Sequence, residues 1–182
     1  MRGGTPDQRS TPESELDFAE LFQEHYPRIY NYFRYRVESQ ADAEDLTSMA
    51  FERAYASREG FDAAKGTFST WLFRIAHNVL ANYYRTRERH SAHEAKGGLP
   101  ADLVTAAPSP ETQVIQEENI ARLLGGLRGL SQRDQEVITL KFAAGLRNRE
   151  IGIIMGLKEK TVSVVLWRAM ERLQRQLRRD SA

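Results

Sequence analysis

The sequence contains no cysteine among its 182 residues. This absence excludes disulfides, thiolate nucleophiles, cysteine-ligated zinc and iron–sulfur clusters. No apolar run approaches the roughly 18 residues of a membrane span, and the stretch from Met1 to Ser14 lacks the apolar segment of a secretory signal. The sequence therefore predicts a cytoplasmic protein without a membrane span.

A large net charge is also lacking, since 26 Lys and Arg side chains nearly balance 25 Asp and Glu side chains. The charges are unevenly distributed, however. Residues 1–60 carry 7 basic and 12 acidic side chains, whereas residues 116–182 carry 13 basic and 8 acidic ones. This asymmetry indicates an acidic surface for a basic protein partner and basic surfaces for phosphate backbones. Solvated helix faces would give the same charge pattern, and charge alone does not decide between the two interpretations.

Convincing strand patterns are scarce, and apolar residues recur instead at helical spacing. A first helix starts at Phe18, and Pro27 is expected to kink or divide it. Ser39 predicts the start of a second helix over about 40–58, and an aromatic-rich helix follows Phe68. The β-branched stretch from Thr161 to Met170 continues into strong helix formers, which favours a helix there too. The predicted class is all-α.

A segment rich in Ala, Gly and Pro divides the chain. It predicts two small helical domains, over 16–90 and 114–180, joined by a flexible linker over 91–113 and preceded by a disordered tail over 1–15. A linker of about 25 residues extends roughly 80–90 Å at most. Two separated elements of one DNA molecule are within its reach.

The rear segment around Gly156 has the pattern of a helix-turn-helix. Such a motif needs a small residue where two steeply crossing helices touch, here Gly152, and a glycine in the tight turn, here Gly156. Apolar residues such as Val162 and Val165 would face a third helix. An ordinary helical hairpin has the same spacing, but an arginine cluster favours contact with phosphates. The cluster comprises Arg168, Arg172, Arg175, Arg178 and Arg179.

From Asp17 to Leu177 the chain resembles the extracytoplasmic-function (ECF) class of bacterial RNA polymerase sigma factors. The front part is similar to sigma region 2 in Asp42-Ala-Glu-Asp-Leu-Thr47, in Phe51 with Arg53-Ala-Tyr55, and in Phe68-Ser-Thr-Trp-Leu-Phe-Arg-Ile-Ala-His-Asn78. The rear part is similar to sigma region 4 in Leu130-Ser-Gln-Arg-Asp-Gln-Glu-Val-Ile138, Glu150-Ile151 and Gly156-Leu157. Two motif sets in the right order are far more specific than a lone helix-turn-helix.

The resemblance implies that the chain binds core RNA polymerase and promoter DNA, and that an anti-sigma factor regulates it. In the family, the second helix docks on a coiled coil of the polymerase, which here implies Asp42, Glu44, Asp45 and Arg53 as contacts. The following region of the family opens and reads the −10 element. Its implied contacts here are Phe61, Lys65, Phe68, Arg74, Asn78, Asn82 and Arg85.

The rear helix-turn-helix of the family reads the −35 element as a duplex. The implied contacts are Lys158, Lys160, Thr161, Ser163, Val164, Trp167 and Arg168. Family members commonly place basic residues in the first turns of the recognition helix, where this chain has Ser163, Val164 and Val165. This departure suggests that −35 recognition relies more than usual on apolar contact and DNA shape.

Other functions agree less well with the sequence. An enzyme is disfavoured because the metal-like cluster His90, His93 and Glu94 lies at the start of the linker without a rigid scaffold, and no Gly-rich phosphate loop is present. The sequence thus predicts no catalytic residue, no metal and no cofactor. A stand-alone helix-turn-helix regulator is the main alternative, and an adaptor without a DNA role is a third. The promoter consensus, the inducing signal and the regulated genes are not encoded in any recognisable motif.

Overall fold

The computed structural model describes residues 18–93 and 122–179, and this part of the chain is helical without strands. The predicted all-α class is confirmed. The predicted tail over 1–15 lies outside the described residues, as does most of the predicted linker. The helices are α1 (Phe18–Arg34), α2 (Gln40–Ala56), a short 3₁₀ helix (Arg58–Gly60), α3 (Phe68–His93), α4 (over 122–128), α5 (Gln132–Phe142), α6 (Asn148–Met155) and α7 (Glu159–Arg179).

The front domain is a bundle in which α2 packs against both α1 and α3. The Ser39 side chain caps α2 by accepting a hydrogen bond from the Asp42 backbone N–H at 2.9 Å. Ala43, Ala50 and Ala54 are fully buried along one face of α2. Their small side chains let the neighbouring helices approach closely.

Of the two outcomes expected at Pro27, a kink or a division, the division does not occur, because α1 runs from Phe18 to Arg34 with Pro27 inside it. His25 lies before the proline and Ile29 and Phe33 lie after it, and all three are buried on one stripe of the helix. A proline inside a helix costs about 3 kcal/mol. Burial of this stripe against the bundle offsets that cost, since each large apolar side chain contributes about 1.5–3 kcal/mol.

The rear domain contains the predicted helix-turn-helix in α6 and α7. Gly156 ends α6 in the left-handed conformation, with φ 66° and ψ 32°, which glycine adopts without strain. Gly152 lies where the chain returns towards α7, and a Cβ atom there would be 2.6 Å from the Leu157 carbonyl oxygen. Both glycines therefore have the roles that the sequence assigns to them.

The two domains pack against each other through α3 and α6. Their buried apolar residues form one continuous core, which includes Phe73 and Leu80 of α3 as well as Ile151 and Ile154 of α6. The sequence predicts two domains on a linker but contains no signal for this direct contact. The described arrangement is a closed one.

Gly152→Ala is expected to destabilise the chain by about 1–3 kcal/mol, because the added methyl group meets a backbone oxygen that cannot move freely. Urea denaturation followed by circular dichroism measures the change. Gly125→Ala is the control, since a Cβ atom at this helical position meets nothing within 4 Å and alanine favours helix. Equal stability of Gly152→Ala and the unchanged chain would contradict the close approach of α6 and α7.

Candidate nucleic-acid interface

The α2 residues expected to contact polymerase form a largely exposed acidic face. Glu44, Asp45 and Arg53 are exposed, and Asp42 is half-buried. The Asp42 Oδ2 atom accepts a hydrogen bond from the Tyr83 hydroxyl at 3.0 Å, so part of this carboxylate holds α2 against α3. Glu44, Asp45 and Arg53 remain accessible to a partner.

Aromatic side chains cluster where the loop over 61–67 enters α3. The Phe61, Phe68 and Trp71 rings are in mutual contact, with centroid distances of 5.4–5.5 Å. Lys65 extends from the loop with 84% of its side chain exposed and pairs with Asp62 at 3.0 Å. These rings therefore pack on one another at the entrance to α3.

Polar residues expected at the −10 element continue along one stripe of α3, at intervals of three and four residues. Arg74, Asn78 and Arg85 are exposed, and Asn82 is half-buried. The Asn82 side-chain oxygen accepts a hydrogen bond from Arg85. The stripe therefore presents amide and guanidinium groups to solvent, which suit base edges and phosphates respectively.

The first half of α7 presents its predicted DNA contacts to solvent. The exposed residues are Lys158, immediately before α7, and Lys160, Thr161, Ser163, Val164, Trp167 and Arg168 within it. Val164 is 48% exposed and Trp167 is 62% exposed. Other large apolar side chains are also exposed, among them Phe142 and Ile153, but Val164 and Trp167 lie on the same open face of α7 as the exposed cations.

Ser163 has a partner that the sequence does not reveal. Its hydroxyl oxygen accepts a hydrogen bond from the Asn148 side-chain nitrogen at 3.0 Å. The same hydroxyl donates a hydrogen bond to the Glu159 carbonyl oxygen at 3.3 Å. Asn148 is the first residue of α6. The pair ties the start of α7 to the preceding helix, and it restricts the orientation of the Ser163 hydroxyl.

A buried carboxylate joins the two domains. Glu136 of α5 accepts hydrogen bonds from the Tyr32 hydroxyl at 2.6 Å and from His77 Nδ1 at 3.0 Å, and it forms an ion pair with Arg36. The Glu136 and Arg36 side chains are only 7% and 3% exposed. More than fifty residues of sequence separate Glu136 from each partner, so no sequence pattern points to this network.

These contacts set the ionisation of Glu136. Burial alone would raise the pKa of its carboxyl group, but the hydrogen bond from His77 and the charge of Arg36 lower the pKa from 4.5 to about 2. Burial likewise opposes the charge of Arg36, yet the nearby Glu136 raises the pKa of Arg36 above its ordinary value. Both groups are therefore ionised at neutral pH.

A second carboxylate joins the domains at the start of α3. Glu150 of α6 accepts hydrogen bonds from the Thr70 hydroxyl at 3.1 Å and the Thr67 hydroxyl at 3.4 Å, both through Oε1. Its other oxygen accepts from the Arg147 backbone N–H at 2.8 Å and caps α6. In the same interface the Arg28 guanidinium donates to the Ala144 carbonyl oxygen, with Nε at 2.9 Å.

No cluster of three or more metal-ligating side chains occurs within 18–93 and 122–179. The side chains of His90 and His93 lie outside the described residues, as does Glu94. None of the helices in the described part of the chain has the length and apolar content needed to cross a bilayer.

The fold and its exposed faces define a helical DNA-binding protein with a helix-turn-helix in its rear domain. Residues 21–90 match the family Sigma-70 region 2, and residues 120–173 match the family Sigma-70, region 4. The chain belongs to the sigma-70 family of RNA polymerase sigma factors, in its ECF class. The family resemblance seen in the sequence is thereby confirmed.

Relatives and a solved structure are similar over both domains. The ECF RNA polymerase sigma factor BldN of Streptomyces coelicolor is 33% identical over 90% of this chain, which spans 61% of the length of BldN. SigW of Bacillus subtilis is 30% identical over 88% of this chain and 89% of SigW. The sigma factor RpoE from Bartonella quintana, solved in complex with the anti-sigma factor NepR, has a TM-score of 0.73 at 23% identity, covering 89% of this chain and 97% of RpoE.

The low pKa of Glu136 predicts an acid-sensitive structure. A carboxyl group whose pKa falls on folding stabilises the fold above its unfolded pKa, and this stabilisation is lost as pH falls towards the folded pKa. Urea denaturation of the unchanged chain and of Glu136→Gln should differ by about 3 kcal/mol above pH 5, with the difference shrinking as pH falls towards about 2. The other carboxyl groups titrate equally in both proteins, so their contributions cancel in the difference between the two free energies of unfolding. A difference that stays constant from neutral pH down to pH 2.5 would contradict the assigned network.

Proposed function

We propose that the chain binds core RNA polymerase through α2, opens and reads the −10 element through the loop over 61–67 and α3, and reads the −35 element through α7. The single observation that carries the proposal is that two separate domains of a sigma-70 chain each expose a surface with side chains suited to contact DNA. One is the polar stripe of α3, and the other is the first half of α7. The protein acts as a specificity subunit without catalytic residues or a cofactor, in the cytoplasm where the polymerase works.

Base capture by the front domain requires energy from stacking. Unstacking a base costs a few kcal/mol, and stacking on an aromatic side chain returns about 1–3 kcal/mol per base. Phe61 and Phe68 provide aromatic surface at the two ends of the loop over 61–67. The Asn78 amide offers both a hydrogen-bond donor and an acceptor for a base edge. The two phenylalanine rings are in edge-on contact, with centroids 5.5 Å apart, so together they form one aromatic surface.

Recognition of the −35 element combines apolar and ionic contacts. The exposed Val164 and Trp167 side chains suit a thymine methyl group or a sugar, while Lys160 and Arg168 suit phosphates. Ser163 contributes less to direct base recognition than its position suggests, since Asn148 already engages its hydroxyl.

An anti-sigma factor completes the proposed set of partners. The RpoE structure that shares this fold contains the anti-sigma factor NepR. We propose that this chain is likewise held inactive by a protein that covers polymerase-binding or promoter-binding surfaces.

Asn78→Ala is expected to lower the yield of run-off transcripts at least tenfold, because the base-edge contact that holds the open −10 strand is lost. The assay uses purified core polymerase and a library of promoters. Asn31→Ala is the matched control, since it removes an exposed amide from α1 and should leave transcription unchanged. Specific binding to duplex DNA without polymerase, with no transcription, would instead indicate a stand-alone regulator.

The combined change Lys160→Ala and Arg168→Ala should weaken promoter binding by the polymerase complex and reduce its salt dependence by a slope of about 2, one for each lost phosphate contact. Val164→Ala should weaken binding several-fold without changing that slope. Filter binding over a range of salt concentrations separates the two effects. Arg128→Ala controls for the loss of an exposed cation elsewhere in the rear domain. Unchanged affinity and slope in all of these variants would contradict −35 recognition by α7.

A further inference from the structure

Two polar side chains meet where α6 and α7 come together. Asn148, the first residue of α6, donates a hydrogen bond from Nδ2 to the Ser163 hydroxyl oxygen at 3.0 Å. Ser163 lies three residues after Lys160 and four residues before Trp167, which is the spacing of neighbours on one helix face, and all three are exposed. The serine therefore belongs to the surface of α7 that is proposed to read the −35 element, and Asn148 reaches this serine from the neighbouring helix.

The Ser163 hydroxyl has little hydrogen-bonding capacity left for DNA. A serine hydroxyl carries one O–H donor and two acceptor lone pairs. One lone pair accepts from Asn148, and the O–H donates to the Glu159 carbonyl oxygen at 3.3 Å. Helical serines commonly make this bond to the carbonyl group four residues earlier. One lone pair remains, so the side chain acts towards DNA as an acceptor.

The same capacity remains if the Asn148 amide turns end for end. Its Oδ1 atom then accepts the Ser163 O–H, because a carbonyl oxygen can only accept. The hydroxyl keeps its lone pairs, and its proton is again held inside the protein. In both orientations of the amide, the group that Ser163 offers to DNA is an acceptor and not a donor.

The contact between Asn148 and Ser163 adds little to the stability of the fold. Within the described part of the chain, the buried Asn148 Oδ1 atom has no hydrogen-bond partner. A buried polar atom without a partner costs free energy of the same order as one hydrogen bond contributes. The gain at Nδ2 and the cost at Oδ1 therefore largely cancel. What the amide does is hold the Ser163 side chain in one rotamer.

An acceptor in the major groove distinguishes two classes of base. Adenine and cytosine present an amino donor there, at N6 and N4, whereas guanine and thymine present only acceptor atoms and the thymine methyl group. A hydroxyl that only accepts favours an amino base and is repelled by the O6 of guanine or the O4 of thymine. The contact is a single hydrogen bond, so it discriminates less than the bidentate contacts that arginine or asparagine make.

We propose that Asn148 is a positioning residue for −35 recognition. By holding the Ser163 hydroxyl as an acceptor, it makes α7 prefer adenine or cytosine over guanine or thymine at one position of the element. This inference rests on the proposed function, because it assigns a base preference to the helix that is proposed to read the −35 element. Asn148 acts through Ser163 and needs no DNA contact of its own.

A promoter library tests the preference. The −35 element is randomised, the library is bound by the full chain assembled with core polymerase, and the bound fraction is sequenced. One position should favour A or C over G or T by about three- to tenfold, the effect of one hydrogen bond. Ser163→Ala should abolish this preference and leave the other positions intact. A preference that persists in Ser163→Ala, or the lack of any position that responds to this change, would overturn the proposal.

A base analogue identifies the atom that Ser163 contacts. At the preferred position, adenine is replaced by 2-aminopurine, which still pairs with thymine but carries its amino group in the minor groove. This replacement should weaken binding of the unchanged complex by about three- to tenfold and that of the Ser163→Ala complex by about twofold or less. Equal losses in the two complexes would contradict a hydrogen bond from the base to Ser163.

Substitutions of Asn148 test the positioning role. Asn148→Ala frees Ser163 to change rotamer and to donate, so the preference should fall to about twofold or less, while the melting temperature stays the same or rises. Asn148→Asp has nearly the same shape, and its carboxylate can only accept the Ser163 O–H. The preference should therefore persist in Asn148→Asp, although overall affinity falls because the new charge repels phosphates.

Gln132→Ala is the matched control, since it removes an exposed amide from the first residue of α5 and should change neither preference nor affinity. Circular dichroism confirms that each variant is folded. An unaltered preference in Asn148→Ala, or its loss in folded Asn148→Asp, would overturn the positioning role.

The library also distinguishes this inference from the proposed function. If the unchanged complex selects a −35 sequence and transcribes from it, but the selection is the same in Ser163→Ala and Asn148→Ala, the inference fails and the proposed function stands. If the unchanged complex selects no sequence at any position of the element, the proposed −35 recognition fails, and the base preference fails with it.

Discussion

The arrangement of the two domains depends on one buried charge. Glu136 comes from a rear-domain helix, yet its carboxylate lies among three front-domain side chains: Tyr32, Arg36 and His77. A carboxylate with 7% exposure is tolerable only while its partners are present, because an unpaired buried charge is strongly destabilising. The charge therefore couples the position of one domain to that of the other.

The two surfaces proposed to bind DNA differ in their surroundings. The first half of α7 faces solvent, and Val164 and Trp167 are exposed there. At the start of α3, Phe61 and Phe68 pack on each other, and Glu150 of the rear domain lies against the Thr67 and Thr70 hydroxyls. The rear surface is therefore open to solvent, whereas a side chain of the rear domain lies beside the loop of the front domain.

Local features were predictable from sequence because their causes are local. Ser39 and Ser131 cap helices through backbone groups three residues away, and Gly156 provides the left-handed turn. Pro27 does not divide α1, because burial of residues on both sides of it offsets the lost backbone hydrogen bond. Contacts such as Glu136 with Arg36 could not be predicted, since these residues are 100 positions apart and each is ordinary in its local context. The roles of individual residues on α2, α3 and α7 in binding polymerase and promoter remain predictions, although their exposure agrees with such roles.

The central claim is that the buried Glu136 carboxylate fixes the position of the rear domain against the front domain. It is tested most directly by attaching spin labels at Glu59→Cys and Gln174→Cys, both exposed positions, and measuring the distance between them with Glu136 present and with Glu136 replaced by Gln. The account predicts a narrow, short distance distribution with Glu136 and a broader, longer one with Gln. The same distribution in both chains would contradict it.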